Sequence, residues 1–159
     1  MPQTYENAES VQVIAERLIS TYHPHLSTAV FKFVFKEKAG KKGGKQVLGT
    51  VKKMSDLMFF LIESHYLMEI PLDVWNDLDA TKRTALVDHL LERCTGEEDE
   101  QTAEMKFSTR EPDVHEFSSI LRRYGAWTED LSGFVSVAKT IDLSFMTEDE
   151  EETVQQTTR

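Results

Sequence analysis

The residues best suited to chemistry fall in one window, Lys82–Cys94, which reads KRTALVDHLLERC. At the roughly 100° per residue of a helix, Leu86, Val87, Leu90, Leu91 and Cys94 gather on one apolar stripe. His89 falls almost opposite that stripe, with Glu92 and Arg93 beside it at i+3 and i+4. A helix with one buried face and one polar face can carry H-E-x-x-H, in which two imidazoles a turn apart bind zinc and the Glu polarises its water. This window has the first imidazole, His89. It has Leu90 where the general base would stand and Arg93 in place of the second imidazole. Glu92 is the one carboxylate on that face left to act as a base. Cys94, on the apolar stripe, reads as a buried structural thiol. No nucleophile elbow or local Ser/His/Cys signature accompanies it, so covalent catalysis is not expected.

The elements that would position this window follow from periodicity and turn chemistry. Residues 6–21 predict a helix with Val11, Ile14, Ala15, Leu18, Ile19 and Tyr22 on one face, ended by His23-Pro24. Residues 29–36 alternate as a strand with Phe31, Phe33 and Phe35 on one side. KAGKKGGK (38–45) reads as a flexible hairpin loop and 46–53 as the returning strand. Ser55 caps a short buried helix over 56–63. Residues 66–70 form a strand closed by Pro71, Trp75 plugs the core, and Asp79 or Thr81 caps the central helix over 81–94, which Gly96 stops. After an acidic loop, 105–108 reads as a short strand. Pro112 opens a helix that ends at Gly125 and places His115 opposite its apolar stripe. Residues 131–145 fit a helix or a strand.

At 159 residues, 40% of them hydrophobic, the chain is expected to be a single domain over 1–146 with an acidic tail over 147–159. No apolar run approaches the roughly 20 residues needed to cross a bilayer, so no membrane role is expected. A lone cysteine makes a reducing cytoplasm the expected compartment. The net charge of −10 hides an asymmetry, because residues 30–53 alone carry +7 and the remainder −17. Lys38, Lys41, Lys42 and Lys45 on the glycine-rich loop, Arg93, and the acidic run Glu97, Glu98, Asp99 and Glu100 are therefore candidates for partner binding. The lysine-glycine loop lacks the first Gly and the hydroxyl of a P-loop. With no arginine-aromatic platform and a negative overall field, direct nucleic-acid binding is not expected.

Six segments together resemble a known family, the Putative phage metallopeptidases: VLGTVKKMSDL (47–57), EIPLDVW (69–75), ALVDH (85–89), GEEDE (96–100), PDVHEF (112–117) and RRYGAW (122–127). The resemblance implies a small zincin-like α+β fold, with an antiparallel hairpin or sheet packed on helices that include the central one. It also implies a phage or prophage origin and work in the cytoplasm of an infected bacterium. The family's central helix carries D-H-E-L-x-H, of which Asp88, His89 and Leu91 match here. Family-like packing would bring residues 112–123 near the central helix, so a rearranged metal set could draw on His89, His115 and Glu116 with Glu92 as base; zinc is the metal such a set would take. Arg93 on the same face would repel a dication. The expectation is accordingly a catalytically degenerate member that binds a host or phage protein. A metal-dependent peptidase with a rearranged site is the first alternative. An acidic DNA mimic using the carboxylates at 97–104 and 148–152 is the second. The sequence does not define an oligomeric state.

Overall fold

A computed structural model describes residues 2–141. Its elements run β1 (Tyr5–Asn7), α1 (Glu9–Tyr22), a 3-10 turn (Pro24–Leu26), β2 (Phe31–Lys36), β3 (Lys41–Lys42), β4 (Lys45–Gln46), β5 (Thr50–Lys53), α2 (Asp56–Ile62), β6 (Tyr66–Pro71), α3 (Leu72–Asp77), α4 (Ala80–Glu92), β7 (Cys94–Glu98), β8 (Met105–Thr109), α5 (Ser118–Tyr124) and α6 (Glu129–Thr140). The architecture is α+β. Within it the chain forms two compact units, Met1–Glu111 and Pro112–Arg159.

In the first unit a four-stranded sheet has the order β1-β2-β6-β5. The loop after β2 does not return its chain to β2 as a simple hairpin. β6 lies between the two, parallel to β2 and antiparallel to β5. Helix α2 and the short strands β3, β4 and β5 between β2 and β6 supply the crossover that a parallel pair requires. Lys41–Lys42 and Lys45–Gln46 close on themselves as a separate two-stranded hairpin. Its turn residues Gly43 and Gly44 have φ of 58° and 77°, which glycine adopts without strain. Alternation along the strands directs Phe31, Phe33 and Phe35 to the same side as Tyr66, Met68 and Ile70. That side meets Val11, Ala15 and Leu18 of α1 and Leu86, Val87, Leu90 and Leu91 of α4 in one core. Trp75 is buried against Phe35 at 5.7 Å between ring centroids, as expected of a core plug.

Two local expectations give way to tertiary context. The short helix α2 is capped by Ser55, whose Oγ accepts from Met58 N at 3.2 Å, but none of its residues is buried. Gly96 does not stop the central helix. Arg93 is its C-terminal cap and Gly96 lies within β7, where an added Cβ would meet the carbonyl oxygen of His25 at 2.6 Å. β1, absent from the sequence reading, pairs with β2 through Tyr5–Asn7.

In the second unit the helix expected from Pro112 begins only at Ser118. Gly125, with φ 69°, does end it. The ambiguous stretch resolves as helix over Glu129–Thr140, capped by Thr128, whose Oγ1 accepts from Leu131 N at 3.3 Å. Leu143, Phe145 and the acidic residues 148–152 lie outside the described residues. Among the described residues no helix is long and apolar enough to cross a membrane.

Candidate functional site

The central helix α4 starts where Asp79 Oδ1 accepts from Lys82 N at 2.8 Å. From there the apolar pattern fixes its rotation. Leu86, Val87, Leu90, Leu91 and, just past the helix, Cys94 are buried, and His89 is exposed. His89 borders a recess of about 530 Å³ formed with Leu48, Gly49, Leu78, Lys82, Ala85 and Leu86. The recess is mostly apolar, so the face opposite the core stripe is less polar than the sequence pattern implied. Leu90, at the position of the expected base, packs into the core over Gly49, where a Cβ would come within 3.0 Å of Leu90 Cδ1. Cys94 is inert as a nucleophile, because burial pushes its thiol up to about 12.

The charged residues at the end of α4 are engaged with the segment that follows β8. Arg110 donates to Glu92 twice, from Nη2 to Oε2 at 2.6 Å and from Nε to the backbone oxygen at 2.9 Å. Arg93 Nη2 lies 3.3 Å from Glu111 Oε1. Glu92, the candidate base, is therefore engaged by the Arg110 guanidinium.

One feature of the site was not legible in the sequence. His23, at the C-terminal cap of α1, is buried, and its Nε2 lies 2.6 Å from Asp88 Oδ1 across 65 residues of chain. His25 stands edge-on to it at 5.9 Å, with its Nε2 3.4 Å from the backbone oxygen of Cys94. The only hint available was Asp88 itself, one residue before His89 on the helix. Among the described residues, His23, Asp88 and Glu92 are the group whose side chains could hold a metal ion, with ligand atoms within 4.8 Å of one another.

The group His23, Asp88 and Glu92 is not arranged as a zinc site. Two ligand atoms on one tetrahedral zinc, each at about 2.0–2.2 Å, stand roughly 3.3 Å apart. The 2.6 Å separation of His23 and Asp88 is that of a hydrogen bond, and Glu92 is turned to Arg110. At the motif positions His89 is the lone ligand, since Leu90 is core and Arg93 is a cation. His115 and Glu116 belong to the second unit and precede α5. There Glu116 accepts from Trp127 Nε1 at 3.2 Å and from Phe117 N at 2.8 Å.

The partner-binding candidates separate into distinct places. Lys38 and the hairpin lysines Lys41, Lys42 and Lys45 are exposed. Glu97, Glu98 and Glu100 are also exposed, while Asp99 is tied to Lys106 Nζ at 2.9 Å, which holds its carboxyl below the usual range.

An α+β unit whose central helix carries a lone exposed imidazole at the metal-motif position defines the class. The model of the family described as Putative phage metallopeptidase matches residues 3–141, and the chain belongs to that family. No curated protein matches the chain. No solved structure matches it.

Proposed function

We propose that this family member is zincin-like in backbone only, has lost peptidase chemistry and acts by binding a host or phage protein in the infected cell. The observation that carries the reading is the occupancy of α4. The position of the general base holds a core leucine, Leu90, and the position of the second imidazole holds Arg93, paired with Glu111. Metal-dependent peptide hydrolysis needs a bound water acidified by the metal and a base to receive its proton. With Glu92 held by Arg110, neither role is filled on this face. What remains exposed is the apolar recess beside His89, rimmed by Lys82, which suits an apolar side chain of a protein partner.

The test combines hydrolysis and binding. Untagged protein incubated with zinc and an unfolded casein substrate should show no cleavage above a chelator control. A photo-crosslinking residue at Ala85 should capture the same protein repeatedly from infected-cell lysate, and a bulky Ala85→Trp substitution in the recess should abolish that capture from a crosslinker placed at Lys82. Zinc-dependent cleavage would overturn the proposal. A second reading, a metal-dependent hydrolase, is favoured by the proximity of His23, Asp88 and Glu92. It requires both the His23–Asp88 and Glu92–Arg110 contacts to open. Cleavage lost in His23→Ala but retained in His89→Ala would select it.

A further inference from the structure

We infer that the lysine hairpin and the adjoining end of the sheet bind single-stranded nucleic acid, with phosphates on the lysines and a base stacked on Tyr5. This inference is independent of the reading of α4. It starts from β1, which sets Tyr5 directly opposite Lys36 of β2. Directly opposed residues of an antiparallel pair share one face of the sheet. Alternation along β2 makes that the face turned away from Phe35 and the core. The Tyr5 side chain is 59% exposed there. The hairpin leaves β2 at the same end. Glu37 N donates to the backbone oxygen of Thr4 at 3.0 Å, Lys38 N donates to Gln3 Oε1 at 3.3 Å, and a Cβ on Gly40 would lie 3.9 Å from Lys36 Nζ. An exposed aromatic ring and the hairpin lysines therefore belong to one end of the sheet.

Charge identifies the ligand as an anion. Lys42 and Lys45 stand directly opposite each other across the Gly43-Gly44 turn, a like-charge pair that costs stability until an anion meets it. Among the described residues no ion pair engages Lys38, Lys41, Lys42 or Lys45. The carboxylates at this end are Glu69, which faces Lys36 at 3.8 Å, Glu37, which accepts from Thr4 Oγ1 at 3.2 Å, and Asp73, which accepts from Ala39 N at 3.1 Å. Glu6 lies on the other face, opposite Phe35. Five lysines against three carboxylates leave the patch positive. Residues 18–82 contain no arginine. Protein interfaces favour arginine over lysine, whereas lysine meets phosphate as a point charge. An exposed ring beside such lysines takes an unpaired base, whose face a duplex would keep stacked within itself. The acidic remainder of the chain opposes any polyanion, so the complex is expected in the micromolar range at low salt.

Fluorescence anisotropy of a labelled oligothymidylate, titrated with the full chain at about 50 to 200 mM salt, reads the complex. Wild type should bind it more tightly than a duplex of the same length, and the affinity should fall steeply with salt. Lys41→Gln/Lys42→Gln/Lys45→Gln should make the log–log salt dependence shallower by about two, since each single-strand phosphate contact contributes roughly 0.7. Tyr5→Ala should weaken binding about fivefold or more, and Tyr5→Phe, which keeps the stacking face, should bind as wild type does. These variants should keep the wild-type melting temperature, because the replaced side chains are exposed. Absence of binding at low salt, an unchanged salt slope in the triple variant, or a Tyr5→Ala equal to wild type overturns the inference. Equal affinity for the duplex does so too. So does displacement of the oligonucleotide by poly-glutamate at equal charge, which would assign the lysines to an acidic protein segment.

Discussion

Replacing Leu90 with Glu restores the residue that the zinc motif demands, and the structure indicates that the fold will resist it. Leu90 is 2% exposed and sits against Gly49 with no space to spare. Truncating such a leucine to Ala costs about 2–5 kcal/mol through lost transfer energy and the cavity left behind. Glu adds the desolvation of a carboxylate, which an unpaired buried site pays in full or avoids by holding the proton. The sum approaches the roughly 5–15 kcal/mol that stabilises a typical domain, so Leu90→Glu should lie at the edge of unfolding at neutral pH. Urea titration followed by circular dichroism gives the loss, with Leu90→Met, expected to cost less than about 1.5 kcal/mol, as the control for shape. Leu90→Gln separates charge from size. A buried Glu with a raised proton affinity is destabilising above its unfolded pKa and recovers as pH falls, so the difference between the Glu and Gln variants should shrink from pH 8 towards pH 5. Should Leu90→Glu cost less than about 1 kcal/mol at pH 8, the residue faces the recess rather than the core. The double variant Leu90→Glu/Arg93→His would then be expected to gain zinc affinity, and the reading of α4 as a filled site would be wrong.

Other outcomes follow from individual contacts. The Val30 N–H donates to His65 Nδ1 at 2.8 Å, a bond that needs the neutral ring, and desolvation followed by the Lys53 charge lowers the proton affinity of His65. The unfolded chain, with an ordinary value of 6.5, therefore binds the proton more readily. Stability should fall as pH drops through that value and level off below the lowered one, and His65→Gln should lose this part of the pH dependence in urea titrations. Replacing Lys41–Gln46 by a two-residue Asn-Gly turn should change stability by less than about 1 kcal/mol, because the strand pairs Lys41 with Gln46 and Lys42 with Lys45 lie within the segment and loop length enters logarithmically. A larger loss would show that the hairpin packs on the sheet. His23→Ala should destabilise by about 1–3 kcal/mol, since it empties a buried position and removes a hydrogen bond to Asp88, whose carboxylate stays partly in water; a loss under about 0.5 kcal/mol would remove the pair as a structural tie.

The sequence made legible what periodicity encodes locally. The buried stripe of α4, the three phenylalanines on one side of β2, the Ser55 and Asp79 caps and the core position of Trp75 follow from spacing and side-chain chemistry alone. Pairing between distant segments does not. That β6 intervenes between β2 and β5, and that Gly96 serves a close approach to His25 rather than a helix end, depend on contacts with no local signature. The same limit applied to the site. His89, Leu90 and Arg93 could be aligned with the motif by eye, but the bonds of Asp88 to His23, Glu92 to Arg110 and Arg93 to Glu111 join residues 18 or more apart. The outward stripe of α2 misled for a related reason, since apolar composition alone does not tell whether a helix is covered within its own chain.

The central claim, that ion pairs and a core leucine have replaced the family's metal chemistry, is tested most directly by zinc binding to the untagged wild-type chain, purified without chelator. Elemental analysis, followed by titration against a chromophoric zinc chelator, should find zinc well below one equivalent and an affinity unaffected by His89→Ala or His23→Ala. One tightly held zinc per chain, lost when either histidine is replaced, would contradict it.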